Sequence, residues 1–108
     1  MNNNWPYPSC KNMQEPCPIV IKGDLPLGYA LRWPLYLLLH CERGYYYWVE
    51  ANYLHGVGGS VEEAVEDFKW MLVEYYEMLE EERWRLAPWL WERLMWLREL
   101  LIKPQTGM

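Results

Sequence analysis

The sequence predicts an α+β fold: a small antiparallel sheet, a long amphipathic helix and a second, C-terminal helix. Two β-rich runs, Leu35 to Cys41 and Tyr45 to Ala51, flank Glu42-Arg43-Gly44, a Gly-containing connection of hairpin length. Ser60-Val61-Glu62-Glu63 has the form of a capping box, in which Ser60 and Glu63 satisfy each other's free amides. Beyond it Val61, Ala64, Val65, Phe68, Leu72, Tyr75 and Leu79 recur at the spacing of one buried helical stripe. At 108 residues the chain supports one core, so a single domain is expected over residues 19–108.

Taken in order, residues 1–18 carry Pro6, Pro8, Pro16 and Pro18 without apolar periodicity, which reads as an irregular N-terminal arm. Ile19-Val20-Ile21 suits a short edge strand that Lys22-Gly23-Asp24 ends. In the second hairpin strand Tyr45, Tyr47, Val49 and Ala51 share the core face, leaving Tyr46, Trp48, Glu50 and Asn52 on the other. Gly56, Gly58 and Gly59 read as a permissive turn before Ser60. The helix is expected to run to about Glu82. Pro88 then suits the first turn of a second helix over 88–102, ending before Pro104.

Eight Trp and nine Tyr exceed what one small core holds, so an association surface is expected. In the second helix Leu90, Leu94, Leu97 and Leu101 form a seam with Trp96 beside it, and only Glu92, Arg93, Arg98 and Glu99 are polar. This predicts a homodimer whose interface contains Leu90, Leu94, Trp96, Leu97 and Leu101. A net charge of −5 opposes nucleic acid and anionic lipid and suits a basic protein partner. No apolar run approaches the ~18 residues of a membrane helix. The N-terminus has no signal-like region, so a cytoplasmic location without membrane contact is expected. Cys10, Cys17 and Cys41 are odd in number and lack metal-ligand spacing, so reduced thiols are expected.

Catalytic chemistry finds few residues. His40 and Cys41 are neighbours on a strand and face opposite sides, and His55 falls in a Gly-rich loop. The pairs Glu62/Glu66 and Glu63/Asp67 have no histidine in helical register, and the helix dipole accounts for acidic residues there. Gly56-Val57-Gly58-Gly59-Ser60 lacks the Lys-Ser/Thr ending of a phosphate loop. The Tyr45-Tyr46-Tyr47-Trp48 run lacks the cations that accompany base stacking. No catalytic residue, metal site or cofactor is expected.

The order Tyr36-Leu37-Leu38-Leu39, Glu42-Arg43-Gly44-Tyr45-Tyr46, Glu50-Ala51-Asn52, Gly56 and Gly59-Ser60-Val61-Glu62-Glu63-Ala64-Val65 resembles the HicB-like antitoxin family. The resemblance covers about residues 35–80. It implies a partial ribonuclease H-like βββα scaffold, with a third strand at Tyr53 to Val57, and the neutralisation of a small RNA-cleaving toxin of the HicA type. The DNA-binding module that the family often carries has no counterpart, since residues 88–102 are rich in Trp and Leu. The expected function is non-catalytic binding of a small basic toxin through Tyr46, Trp48, Glu62 and Glu66. The alternative is a self-associating structural or accessory domain with no toxin partner.

Overall fold

The computed structural model describes residues 15–105, so most of the expected N-terminal arm, up to residue 14, lies outside the described residues. The elements are β1 (Cys17–Ile21), β2 (Ala30–Leu31), β3 (Leu35–Glu42), β4 (Tyr46–Ala51), β5 (Leu54–Gly58), α1 (Val61–Glu81), α2 (Pro88–Leu100) and β6 (Leu101–Ile102). One sheet has the order β1-β3-β4-β5, and β2 pairs with β6 in a second. The expected α+β class and edge strand are therefore present, with Cys17 and Pro18 already in β1. Contacts group the described chain into two compact units: residues 15–20 with Tyr36–Phe68, and Ile21–Leu35 with residues 69–105.

In the first unit β3 and β4 form an antiparallel hairpin that pairs Leu39 with Val49 and Cys41 with Tyr47. Its turn places Arg43 (φ 59°) and Gly44 (φ 78°) in the left-handed region, the sign that suits the twist of a hairpin. The Tyr45 amide donates to the Glu42 carbonyl at 3.3 Å. Tyr45 thus belongs to the turn and is 63% exposed, which corrects its expected core role. Leu37, Leu39, Cys41 and Val49 are buried on the inner face, while Tyr47 and Ala51 are half-buried.

The third strand forms as β5, antiparallel to β4, with Gly56 opposite Val49. Gly56 and Gly58 therefore lie in a strand and not in the expected turn. They share its inner face, and the N-terminal turns of α1 press against them. A Cβ on Gly56 would fall 2.7 Å from Phe68 Cα, and one on Gly58 would fall 2.7 Å from the Ala64 amide. Glycine is required here by close helix–strand approach.

The α1 cap differs from the expected box in one half. Ser60 Oγ accepts from the Glu63 amide at 3.1 Å, but the Glu63 carboxylate accepts from the Gly59 amide at 2.8 Å instead of from Ser60. Cys41 is disulfide-bonded and Cys17 is free, which overturns the expectation of reduced thiols throughout.

In the second unit α1 buries Leu72, Val73, Tyr76 and Leu79. Tyr75, expected in the stripe, is half-buried, because steps of four from Phe68 through Leu72 reach Tyr76. The Tyr75 hydroxyl accepts from Arg93 at 2.9 Å. Helix α2 starts at Pro88 as foreseen, with Ala87 as its N-cap. It ends at Leu100 and not at 102, because Leu101 turns extended (φ −102°, ψ 139°) and pairs with Leu31. Arg32 covers this end: its amide donates to the Leu100 carbonyl at 2.7 Å, and its guanidinium donates to the Glu99 and Leu101 carbonyls at 2.8 and 3.1 Å. A cation there also complements the helix dipole.

The expected dimer seam is filled within one copy. Leu94 and Leu97 are 0% exposed and Leu101 is 3% exposed, so their side chains are already buried without a second copy. Leu90 and Trp96 are half-buried. Among the described residues no helix is long and apolar enough to cross a membrane.

Candidate partner surface on the sheet

Strand alternation sends Leu37, Leu39 and Cys41 inward and leaves Tyr36, Leu38 and His40 on the opposite face of β3. The register then builds that outer face row by row. Leu38 lies opposite Glu50, His40 opposite Trp48, and Glu42 opposite Tyr46, while β5 adds Val57 beside Trp48 and His55 beside Glu50. Tyr36 is 72% exposed, and Leu38, Tyr46 and Val57 each expose about two fifths of their surface. Trp48 is half-buried by its neighbours: His40 stacks on it at 4.8 Å with an interplanar angle of 6°, and Tyr46 leans against it at 5.6 Å.

Polar contacts hold this row in place. The His40 ring shares a hydrogen bond of 2.7 Å with one Glu50 oxygen, and His55 lies 3.6 Å from the other. Glu50 is thus bracketed by two imidazoles. Among the described residues no group of three His, Cys, Asp or Glu side chains could hold a metal ion. At the hairpin end, Glu42, Arg43, Tyr45 and Tyr46 line a shallow pocket of about 360 Å³.

The sequence-derived partner residues separate in space. Tyr46 and Trp48 lie on the outer sheet face. Glu62 and Glu66 are exposed on α1, which packs against the inner face through Gly56 and Gly58. The two groups are on opposite sides of this unit. The neighbouring carboxylates do structural work: Glu63 caps Gly59, and Asp67 accepts from the Val57 amide at 2.9 Å, occupying a donor on the edge strand β5. Sequence reasoning missed Tyr36, Leu38 and Val57. The period-2 alternation of Tyr36, Leu38 and His40 was the signal for the first two, and Val57 needed the register of β5.

Compared with known proteins, the chain matches no family model, no curated protein and no solved structure.

Proposed function

We propose that the chain is a non-catalytic binding protein whose partner docks on the outer face of the four-stranded sheet. The observation that carries this reading is the exposed run of Tyr36, Leu38, Tyr46 and Val57 around Trp48. Apolar and aromatic side chains grouped on one rigid face supply buried contact area. The stacked His40 pre-orders Trp48, so little rotamer freedom is lost on binding. The strand order β3-β4-β5 followed by α1 agrees with the scaffold that the HicB-like resemblance implies. We therefore assign the partner as a small basic RNA-cleaving toxin of the HicA type. The net charge of −5 steers such a partner in a salt-dependent way. Glu62 and Glu66 contribute to that field from the far side and not to the contact.

Co-expression with the basic product of an adjacent reading frame tests this. Co-purification and relief of growth arrest are expected, and both should be lost with Leu38→Asp and Tyr46→Asp, which are exposed and leave the core intact. Retention of both by the double variant would move the contact elsewhere. Failure of wild-type co-purification, with hydrolysis of a generic ester that vanishes in His55→Ala, would favour an enzyme.

The alternative, self-association of an accessory domain, is favoured by Trp84, Trp89 and Met95, which are 75%, 58% and 47% exposed. A concentration-dependent mass in light scattering, abolished by Trp89→Glu, would support it.

A further inference from the structure

One cleft of the second unit brings four cations together. Arg32, Arg83, Arg98 and Lys103 line it together with Tyr76, Glu80 and Leu101, around a volume of about 730 Å³. Only one of the four charges is neutralised. Arg98 donates from Nε and a terminal nitrogen to the two oxygens of Glu80, at 2.7 and 3.0 Å. Arg83 donates to the main-chain carbonyl of Glu80 at 2.8 Å, and Arg32 to those of Glu99 and Leu101. A carbonyl orients a guanidinium without cancelling its charge, and each guanidinium keeps further N–H donors. Neither Arg32, Arg83 nor Lys103 makes an ion pair with a described carboxylate. Four cations less one carboxylate leave the lining at about +3, on a chain whose net charge is −5.

A second, independent observation comes from Tyr76. It is 3% exposed, and its hydroxyl has no hydrogen-bond partner. Burial, and after it the nearby Glu80 carboxylate, push this hydroxyl up to about 12. Glu80 acts on it as the neighbouring carboxylate, but the contact between them falls outside hydrogen-bond geometry. Buried polar groups are nearly always satisfied, so an unpaired O–H in the wall of a cationic cleft marks a place for an acceptor.

We propose that this cleft binds a phosphate-type oxyanion, either inorganic phosphate or the phosphoryl end of a small metabolite. Arg32, Arg83 and Lys103 supply the charge, and Tyr76 supplies a hydroxyl donor. A dianion with three terminal oxygens engages three unneutralised cations, whereas a carboxylate leaves most of that charge unmatched. The volume exceeds that of a bare phosphate and leaves room for a small organic body beside Leu101. The site belongs to the second unit and does not depend on the partner surface described above.

Calorimetric titration of the full chain at low salt, with inorganic phosphate and separately with ribose 5-phosphate, tests the proposal. Saturable binding at one site per chain is expected, weakened about tenfold by Arg83→Gln or by Lys103→Gln, both outside the buried core. Tyr76→Phe should weaken binding without lowering the denaturation midpoint, since it removes a hydroxyl that the free protein leaves unpaired. Tighter binding of ribose 5-phosphate identifies a phosphorylated metabolite as the ligand, and equal affinity identifies phosphate itself. No saturable binding of either anion, or binding that neither Arg83→Gln nor Lys103→Gln weakens, overturns the proposal.

Discussion

The guanidinium of Arg98 on α2 grips both carboxylate oxygens of Glu80 on α1, at 2.7 and 3.0 Å. This pairing lowers the Glu80 carboxyl below its ordinary value, against the opposing effect of burial. An unfolded chain then binds a proton at Glu80 more readily than the folded one. The stabilisation is complete above the ordinary carboxylate value of 4.5 and is lost as pH falls through the lowered folded value. Thermal melts from neutral pH down to about pH 3 should show Tm falling below the ordinary range. Glu80→Gln should cost about 1 kcal/mol at neutral pH and flatten that fall. An unchanged acid profile in the variant would remove Glu80 from the account.

Gly56→Ala should destabilise the chain by about 2 kcal/mol, because the added methyl meets helix backbone and not a flexible side chain. Gly44→Ala, with open space around its Cβ, loses only the left-handed backbone preference at φ 78° and should cost about 1 kcal/mol. Denaturant midpoints measure both, and a larger cost at Gly44 than at Gly56 would count against the close helix–strand approach.

Ser60→Ala should cost about 1 kcal/mol by freeing the Glu63 amide. Glu63→Ala removes a different bond, the one its carboxylate accepts from the Gly59 amide, and should cost about 0.5 kcal/mol of its own. Unchanged denaturant midpoints in both variants would remove these two bonds from the account of the cap.

Leu94→Glu should abolish cooperative unfolding of the second unit, and not simply dissociate a dimer into folded monomers, since Leu94 is 0% exposed within one chain. Circular dichroism before and after the substitution checks it. A folded variant of unchanged melting temperature would return Leu94 to an interface.

Alkylation of the denatured, unreduced chain should label Cys17 and spare Cys41, as peptide mapping would show. Disulfides persist in oxidising surroundings. Chain isolated from cells with Cys41 labelled would place it in a reducing compartment, the cytoplasmic location expected from its sequence.

The local grammar of this protein is written in its residues. Glu42-Arg43-Gly44 sets the hairpin because two successive left-handed residues need a Gly or a tolerant neighbour. Ser60 starts α1 because its hydroxyl reaches the Glu63 amide, and Pro88 starts α2 because its missing N–H is one the first turn never uses. The outer-face positions of Tyr46 and Trp48 follow from the strand period alone.

Tertiary structure decided what lies far apart in the chain. Leu101 leaves the helix because Leu31, distant in sequence, offers a strand partner, and Arg32 closes the helix end beside it. Leu94, Leu97 and Leu100 of α2 are buried within one chain, which a one-helix pattern cannot distinguish from a dimer seam. Gly56 and Gly58 look like a loop until α1 lies against them. The cationic cleft draws Arg32 from one end of the chain and Arg83, Arg98 and Lys103 from the other. Periodicity and capping act over one turn or one strand and are legible in sequence, whereas burial and charge convergence depend on which distant segments meet, and only the folded chain brings them together.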